Sequence, residues 1–587
     1  MEEVRRGPSP LEITNLGVEY VPPTMRFQPG DEERFWMIDT GHCATLFYPL
    51  ELTTIVQACA YGIDRACDII SVPSHGETFR IVNGMKYFRP LDIPDPAELQ
   101  QRLAKMPEQL TKYFGNWDAL WAERERQINE GLDWMQSFDY EVDPDLDDPM
   151  QMYNLWEHFE RMVNIVFRAE ESHFEFLVPT QVQTLGYRGT LKELVSGTTD
   201  ADCDEMLQGF GNKLMETDMA FWRLGELAQN LGLADIVKGV SLGEVISTLA
   251  KSDKGRKWLD ELNKVMNEYG LRHTGGCLNI ASVSWPEDLT YPISFIRGLM
   301  QKKEKGEKLT PKEEVVARRE QAVKRFSEKI KTDEGRTEFD GVLKLMQKLY
   351  PWIEDHNFLL EGKLNTLVHL KMMELGRRLV NEGYIDEPFD IFYLTTNEVR
   401  SLLHDLIMKH VESRGNHMDV RPIVQERKHV REKQLEWDFP IVLGVMPVEA
   451  TKDPFSLLIY GATPENIERA SKKVERPEEI MEFDGLPAAP GVAEGLARVI
   501  YDVSYLKEVQ PGEILVCPAT NPMWNPVFGK AKGVITDVGG SLCHAGIISR
   551  EYGIPAVVGT GYATKILKTG DRIRVDGNRG LVTRIKH

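Results

Sequence analysis

Cysteine is scarce in this sequence: seven in 587 residues, with no CxxC pair. Scattered thiols in an odd number are expected to be reduced, in a cytoplasmic setting. No run of eighteen apolar residues occurs, so no segment is expected to span a bilayer. The opening MEEVRRGPSPLEI has no signal-peptide hydrophobic region. Positive charge is also short: 70 Lys+Arg stand against 91 Asp+Glu, a formal net of -21. That balance argues against a nucleic-acid partner and against an anionic membrane surface. There is no GxxxxGK[ST] phosphate loop. What is present is ordinary globular composition, 42% hydrophobic and 27% charged, at a length that suggests three or four domains.

The charge is unevenly spread. From Asp484 onward there are 12 Lys+Arg and 9 Asp+Glu, a net of +3, so the first 483 residues carry -24. Residues 1–95 are mixed. Phe35 to Asp39 and Arg80 to Tyr87 look like strand fragments, and Asn83-Gly84 is a hairpin dipeptide. Leu50 to Ile70 is a helix candidate entered after Pro49. Residues 96–464 are mainly helical. Asp95 can cap a helix that has Pro96 at its first position. Tyr153 to Phe176 and Met206 to Leu231 carry apolar residues at helical spacing. Residues 301–335 are almost wholly polar and suggest an exposed helix or helical hairpin. Residues 465–483 have the polar, charge-mixed composition of a linker. Residues 484–587 alternate short β-rich runs with glycines and hold one helix candidate, Ala545 to Tyr552. The expected fold is therefore multidomain α+β, a largely helical body followed by a β-rich α/β domain.

The most informative segment runs from Thr536 to Gly559. A strand ends at Thr536, Gly539-Gly540 gives a tight turn, and His544 opens a helix. A helix N-terminus favours negative charge, because its first amides are unpaired and its dipole is positive there. A phosphoryl group on His544 would sit in that field, and a neutral imidazole is what attack on phosphorus needs. A lone histidine after two glycines could equally be a buried or capping residue. Cys543 and His544 are adjacent, which is not zinc-ligand spacing, so no metal site is expected.

Thr536 to Gly559 resembles, almost position for position, the phosphohistidine motif of the swivelling domain of phosphoenolpyruvate-utilising enzymes. Leu486 to Gly495, Pro511 to Val516, Thr520 to Trp524 and Asp571 to Gly577 extend that resemblance over the last hundred residues. It implies that His544 is the phosphorylated residue, with Gly540, Ser541 and Thr536 at the phosphate. Three further stretches resemble the substrate-binding region of rifampicin phosphotransferase and of the larger subunit of phenylphosphate and methylphenyl phosphate synthases. They are Phe35 to His42 with Tyr48 to Leu50, Glu268 to Gly276 with Ser284 to Asp288, and Glu354 to Phe358 with Leu375 to Leu379 and Asp390 to Thr395. Where relatives often carry an acid after the central glycines, this chain has Cys277.

The resemblance implies a helical acceptor-binding body. It implies ATP and Mg²⁺ bound by an ATP-grasp-type partner subunit, because neither an ATP-grasp pattern nor a following phosphoenolpyruvate barrel is visible in these residues. The acceptor is expected to be a phenol or methylphenol. The acceptor-side candidates are His356, Asp39 and Arg272 for chemistry, and His42, Trp36, Glu354 and Trp285 for binding. Each has a plain alternative. His356 could be a packing histidine, Arg272 a structural ion pair, and Asp39 and His42 turn caps. An antibiotic phosphotransferase component and a phospho-relay protein are the alternative readings.

Overall fold

The computed structural model describes residues 9–10, 13–43, 45–141, 149–211, 213–306, 312–412, 418–437, 439–471, 474, 476–501, 503–521 and 524–585. They form two compact units that interleave along the chain. The first comprises Met1–Pro179, Gly275–Ser282 and Lys363–Val448; the second comprises Thr180–Thr274, Val283–Gly362 and Glu449–His587.

In the first unit, β1 (Phe35–Ile38), β2 (Ser74–Val82), β3 (Met85–Asp92) and β4 (Val442–Gly444) form an antiparallel sheet of order β2-β3-β1-β4. Asn83 and Gly84 make the β2–β3 turn, both at positive φ (49° and 79°), which matches the right-handed twist of the flanking strands. Helices Pro49–Thr53 and Ile55–Ile69 follow β1, and Pro49 sits at the first helical position. The Asp95 carboxylate accepts from the Ala97 amide at 2.9 Å and caps Pro96–Gly115 as its sequence suggests. The stretch around Tyr153–Phe176 belongs to a longer helix, Pro149–Leu194.

In the second unit, helices Lys213–Leu231, Asp253–Tyr269 and Thr290–Glu304 pack around buried Trp258, Trp285, Phe295 and Leu299. The polar stretch 301–335 takes in the end of Thr290–Glu304 and helix Lys312–Ser327, with Asp333–Asn357 following. A π-helical turn, Phe358–Leu364, interrupts the run into Asn365–Asn381.

The C-terminal residues form an eight-stranded sheet. Its strands are β5 (Glu482–Asp484), β6 (Leu486–Ala489), β7 (Val492–Val499), β8 (Ile514–Cys517), β9 (Gly533–Thr536), β10 (Ala556–Val558), β11 (Arg572–Asp576) and β12 (Leu581–Arg584), in the order β5-β12-β11-β7-β8-β9-β10-β6. Strands β7 to β10 run parallel. Strands β8, β9 and β10 are buried throughout, the pattern of a central parallel sheet covered on both faces. Helix His544–Tyr552 connects β9 to β10 and ends at Gly553, whose φ of 64° is left-handed.

Residues 465–483, linker-like in composition, are packed onto this domain. Thr463 caps helix Pro464–Ala470, whose Ile467 and Ala470 are buried. Arg469 donates to the Gly559 carbonyl at 3.2 Å and to the Asp484 carboxylate at 3.0 Å. The segment is a strap along the sheet domain. Its charges make it look like a free tether, but Ile467, Ala470 and Phe483 are buried, and Val474 and Ile480 pack against the sheet's core.

Candidate functional site

His544 is the first residue of its helix, after Cys543 in extended conformation. Its ring is part-buried between two side chains from the loop after β8. Nδ1 lies 2.9 Å from the Thr520 hydroxyl, and Nε2 is hydrogen-bonded to the Asn525 side-chain carbonyl. Phe528 meets the ring edge-on, centroids 5.6 Å apart. With the Asn525 carbonyl facing it, Nε2 carries the proton, and Nδ1 accepts from Thr520. Turning the Asn525 amide over reverses both bonds, so Asn525 can set the tautomer. Burial lowers the imidazole pKa from 6.5 to about 3, which keeps the ring neutral and nucleophilic at pH 7.

Three expectations follow. Phosphorylation of His544 should show no titration near pH 6.5 and should hold down to about pH 4, as read from phosphohistidine formed against pH. The group's contribution to stability runs the other way. The unfolded histidine takes up its proton first, so that contribution declines as pH falls from 6.5 toward 3. Asn525→Ala removes one of the two ring bonds and should slow phosphohistidine formation about tenfold, the equivalent of one hydrogen bond.

The glycine turn before His544 is clamped by the π-helical turn Ser456–Tyr460, which precedes the strap. Gly540 N donates to the Ile459 carbonyl at 2.8 Å, and Leu542 N donates to the Leu458 carbonyl at 2.9 Å. A Cβ on Gly540 would run into the Leu458 carbonyl oxygen and the Gly461 amide, both backbone, so only glycine fits. This changes the expected phosphate contacts. The Gly540 amide is already committed to a carbonyl. Thr536 is fully buried, and its hydroxyl donates to the Val538 carbonyl at 2.9 Å. The Ser541 hydroxyl accepts from Arg188 at 2.6 Å. Of the expected anion ligands, the amides of the helix's first turn are the ones left without an intrahelical acceptor.

Arg272 lies at the other end of the same helix. Its guanidinium packs over Trp285 (5.5 Å) and Phe358 (5.0 Å) and donates to the Thr217 hydroxyl at 3.1 Å. Burial lowers its pKa to about 10 against the pull of Asp218. Asp218 accepts from the Tyr552 hydroxyl at 2.6 Å, and burial raises its pKa to about 6. Tyr552 is eight residues from His544, roughly 12 Å along a helix axis at 1.5 Å per residue. The Phe528 ring stands between the two groups, 5.6 Å from the His544 ring and 6.3 Å from the Tyr552 ring. Trp285 is a core residue, 3% exposed, packed with Phe221 and Phe295. His356 is 2% exposed. It stacks on Trp352 with centroids 4.3 Å apart, and its Nδ1 donates to the Trp352 carbonyl at 2.9 Å, the geometry of a helix-packing histidine. The side chain of Glu354 lies outside the described residues.

Asp39, His42 and Trp36 belong to the first unit. The Asp39 carboxylate, fully buried, accepts from Lys86 Nζ at 2.8 Å and from the His42 backbone amide at 3.0 Å, with His42 Nδ1 at 3.1 Å. Burial pushes the carboxyl pKa up, but Lys86 and His42 outweigh it and hold it well below the usual range. Trp36 is fully buried, donates its indole N–H to the Asp31 carbonyl at 3.0 Å and lies under Arg80, so it is core. None of these three lines the large cavity of this unit, about 1080 Å³, whose walls include Arg65, Arg161, Arg168 and Arg400.

Thr520 and Asn525, both buried, were not singled out from sequence, although Thr520-Asn521-Pro522-Met523-Trp524-Asn525 follows a strand at a fixed interval before the glycine turn. Among the described residues no group of three His, Cys, Asp or Glu side chains could hold a metal ion, so no step is assigned to a metal on these residues. Among them, too, no helix is long and apolar enough to cross a membrane.

Comparison with known proteins agrees with this geometry. The PEP-utilising enzyme mobile domain matches residues 509–580, which hold β8, β9, the glycine turn and His544. The rifampicin phosphotransferase fourth domain matches residues 177–354. The two matches together support a place for these segments in the phosphoenolpyruvate-utilising enzyme superfamily. The chain is 29% identical over 441 residues to the uncharacterized phosphotransferase YvkC of Bacillus subtilis, covering 73% of this chain and 48% of that protein. It is 28% identical over 583 residues to a chondramide synthase of Chondromyces crocatus, covering 96% of this chain and 14% of that protein. It is 27% identical over 359 residues to the rifampicin phosphotransferase of Bacillus subtilis, covering 59% of this chain and 37% of that protein. The chain thus spans about half or less of the length of these relatives.

Proposed function

We propose that this chain is the phosphohistidine-carrying component of an ATP-dependent phosphotransferase acting on a small aromatic alcohol, with phenol or a methylphenol as the acceptor. The observation that carries the reading is His544, a neutral imidazole at a helix N-terminus with each nitrogen held by a neutral partner. In the first half-reaction an unprotonated ring nitrogen attacks the β-phosphorus of ATP. An N–P bond forms as the bond from the β-phosphorus to the AMP oxygen breaks, which leaves a pyrophosphoryl group on the ring; water then cleaves its β–γ linkage, so the coproducts are AMP and phosphate. In the second, the acceptor oxygen attacks the phosphoryl group. The new O–P bond forms, the N–P bond breaks, and the hydroxyl proton passes to base or solvent. ATP and Mg²⁺ are assigned to an ATP-grasp-type partner, since the described residues of this chain offer no metal cluster. The reaction is placed in the cytoplasm, in keeping with seven free cysteines.

The match to the rifampicin phosphotransferase fourth domain favours a second reading, a bulkier antibiotic hydroxyl as acceptor. One experiment separates the two: the chain, its ATP-binding partner, Mg²⁺ and ATP labelled in the β position, offered phenol, 4-methylphenol and a rifamycin. Label in the aryl phosphate supports the first reading, and label in the rifamycin alone replaces it with the second. Label in no acceptor, while His544 becomes labelled, would leave a phospho-relay.

A further inference from the structure

Four helices of the first unit line its cavity of about 1080 Å³. They are Ile55–Ile69, Trp117–Ser137, Pro149–Leu194 and Thr396–Val411. Five arginines and three glutamates stand in its walls, a net of +2 in a chain whose net is -21. All three carboxylates are matched. Arg400 holds Glu160, with Nη2 at 3.1 Å, and Arg124 Nε holds Glu175 at 3.0 Å. Glu171 takes two cations, Arg65 and, at 2.8 Å, Arg168. Arg161 instead lies over the Trp134 ring, 4.3 Å from its centre. The surplus is therefore Arg161 and one of the two cations at Glu171.

Helical spacing turns that surplus into a site. Arg161, Asn164 and Arg168 are exposed and stand at i, i+3 and i+7 on one face of Pro149–Leu194. The Asn164 amide thus sits between two guanidinium groups, and all three residues line the cavity. Arg168, with 74% of its side chain exposed, is free to turn from Glu171, because an exposed pair holds little and Arg65 stays behind. Tyr61, Ile165 and Phe167 add apolar surface to the same walls.

We propose that this cavity binds an organic dianion with a flat apolar body, of the class of an aryl phosphate, through Arg161, Asn164 and Arg168. A phosphate monoester carries close to two negative charges at neutral pH and offers its oxygens to guanidinium forks in pairs. Its charge matches the surplus, and its ring has Tyr61 and Phe167 to lie against. Phenol brings the ring without the charge, and inorganic phosphate the charge without the ring. The volume is at the upper end of small-ligand cavities. That such a ligand is the product of this chain's own reaction rests on the reading proposed above; its recognition by the cavity does not.

Calorimetric titration of the full chain with phenyl phosphate, at low salt and without ATP, tests the site apart from any transfer, so a failed acceptor assay leaves its outcome standing. Phenyl phosphate should bind at least about tenfold more tightly than phenol or inorganic phosphate. Replacing both cations, Arg161→Gln with Arg168→Gln, should weaken it at least about tenfold. Asn164→Glu sets a carboxylate between the two guanidinium groups and should do the same. The three positions are exposed, so both variants should melt near the native temperature, and either one suffices for the test. A His544→Gln chain should bind as the native chain does. Native affinity in either cavity variant overturns the proposal. Loss of binding in His544→Gln overturns it as well, because the ligand would then sit at the transfer site. Inorganic phosphate bound as tightly as phenyl phosphate overturns it too, because the walls would then select charge alone.

Discussion

A His544→Gln chain is expected to lose phosphoryl transfer by about 10⁴-fold or more, the scale of removing a covalent nucleophile. Glutamine keeps a polar group within reach of Thr520 and Asn525, so the loop after β8 retains a partner for each. The amide nitrogen has no basic lone pair to offer phosphorus. The chemistry is lost while the fold is kept, and the stability change should stay near one hydrogen bond, about 1 kcal/mol. The measurement is β-labelled phosphate retained on the chain, alongside the melting temperature. A variant that still carries label and still turns over acceptor would sink the phosphohistidine mechanism. One that unfolds would show that the ring's main duty is structural.

The second large effect is on stability. Asp39→Asn should destabilise the first unit by about 3–5 kcal/mol, because it strands the Lys86 ammonium in a site 2% exposed. For a unit of this size that is a fall in melting temperature on the order of 10 °C. The pH dependence fixes the cause. Asp39 has its pKa lowered from 3.8, so its contribution is present above that value and is lost as pH falls below it. Lys86 has its pKa raised from 10.5, because Asp39 more than offsets the desolvation that burial imposes, and its contribution is lost only as pH rises past that value. The difference between native and variant should therefore be flat from about pH 5 to 9 and shrink in acid. A variant of native stability with slowed turnover would instead restore Asp39 to the chemistry that its sequence neighbourhood suggests.

That contrast shows where the sequence could be read and where it could not. The route from β9 through the glycine turn to the His544 helix was legible, because strand, turn and helix start each carry a local signal. The Asn83-Gly84 hairpin was legible for the same reason. Asp39 and Lys86 are 47 residues apart, and nothing local says they neutralise each other. Trp36 and Trp285 look like pocket aromatics and are core, since burial depends on the sheet and helices that come to cover them. The strap defeats composition altogether. Its charged residues dominate the count, while Ile467, Ala470 and Phe483 are the side chains that bury it. The interleaving of the two units leaves no mark on periodicity, because inserted residues such as Gly275–Ser282 obey the same local rules as their neighbours.

In the proposed carrier role, the two hydrogen bonds from the Ser456–Tyr460 turn bear on how long a phosphoryl group would stay on His544. Each backbone amide spent on the Leu458 and Ile459 carbonyls is one fewer to solvate the charge of the cargo. A cradle with every amide turned toward the phosphate would lower the energy of the loaded state and raise the barrier to unloading. By occupying two of those donors, the Ser456–Tyr460 turn would keep the N–P bond of the proposed intermediate poorly compensated, so that the loaded imidazole would remain a good leaving group for the next oxygen that reaches it.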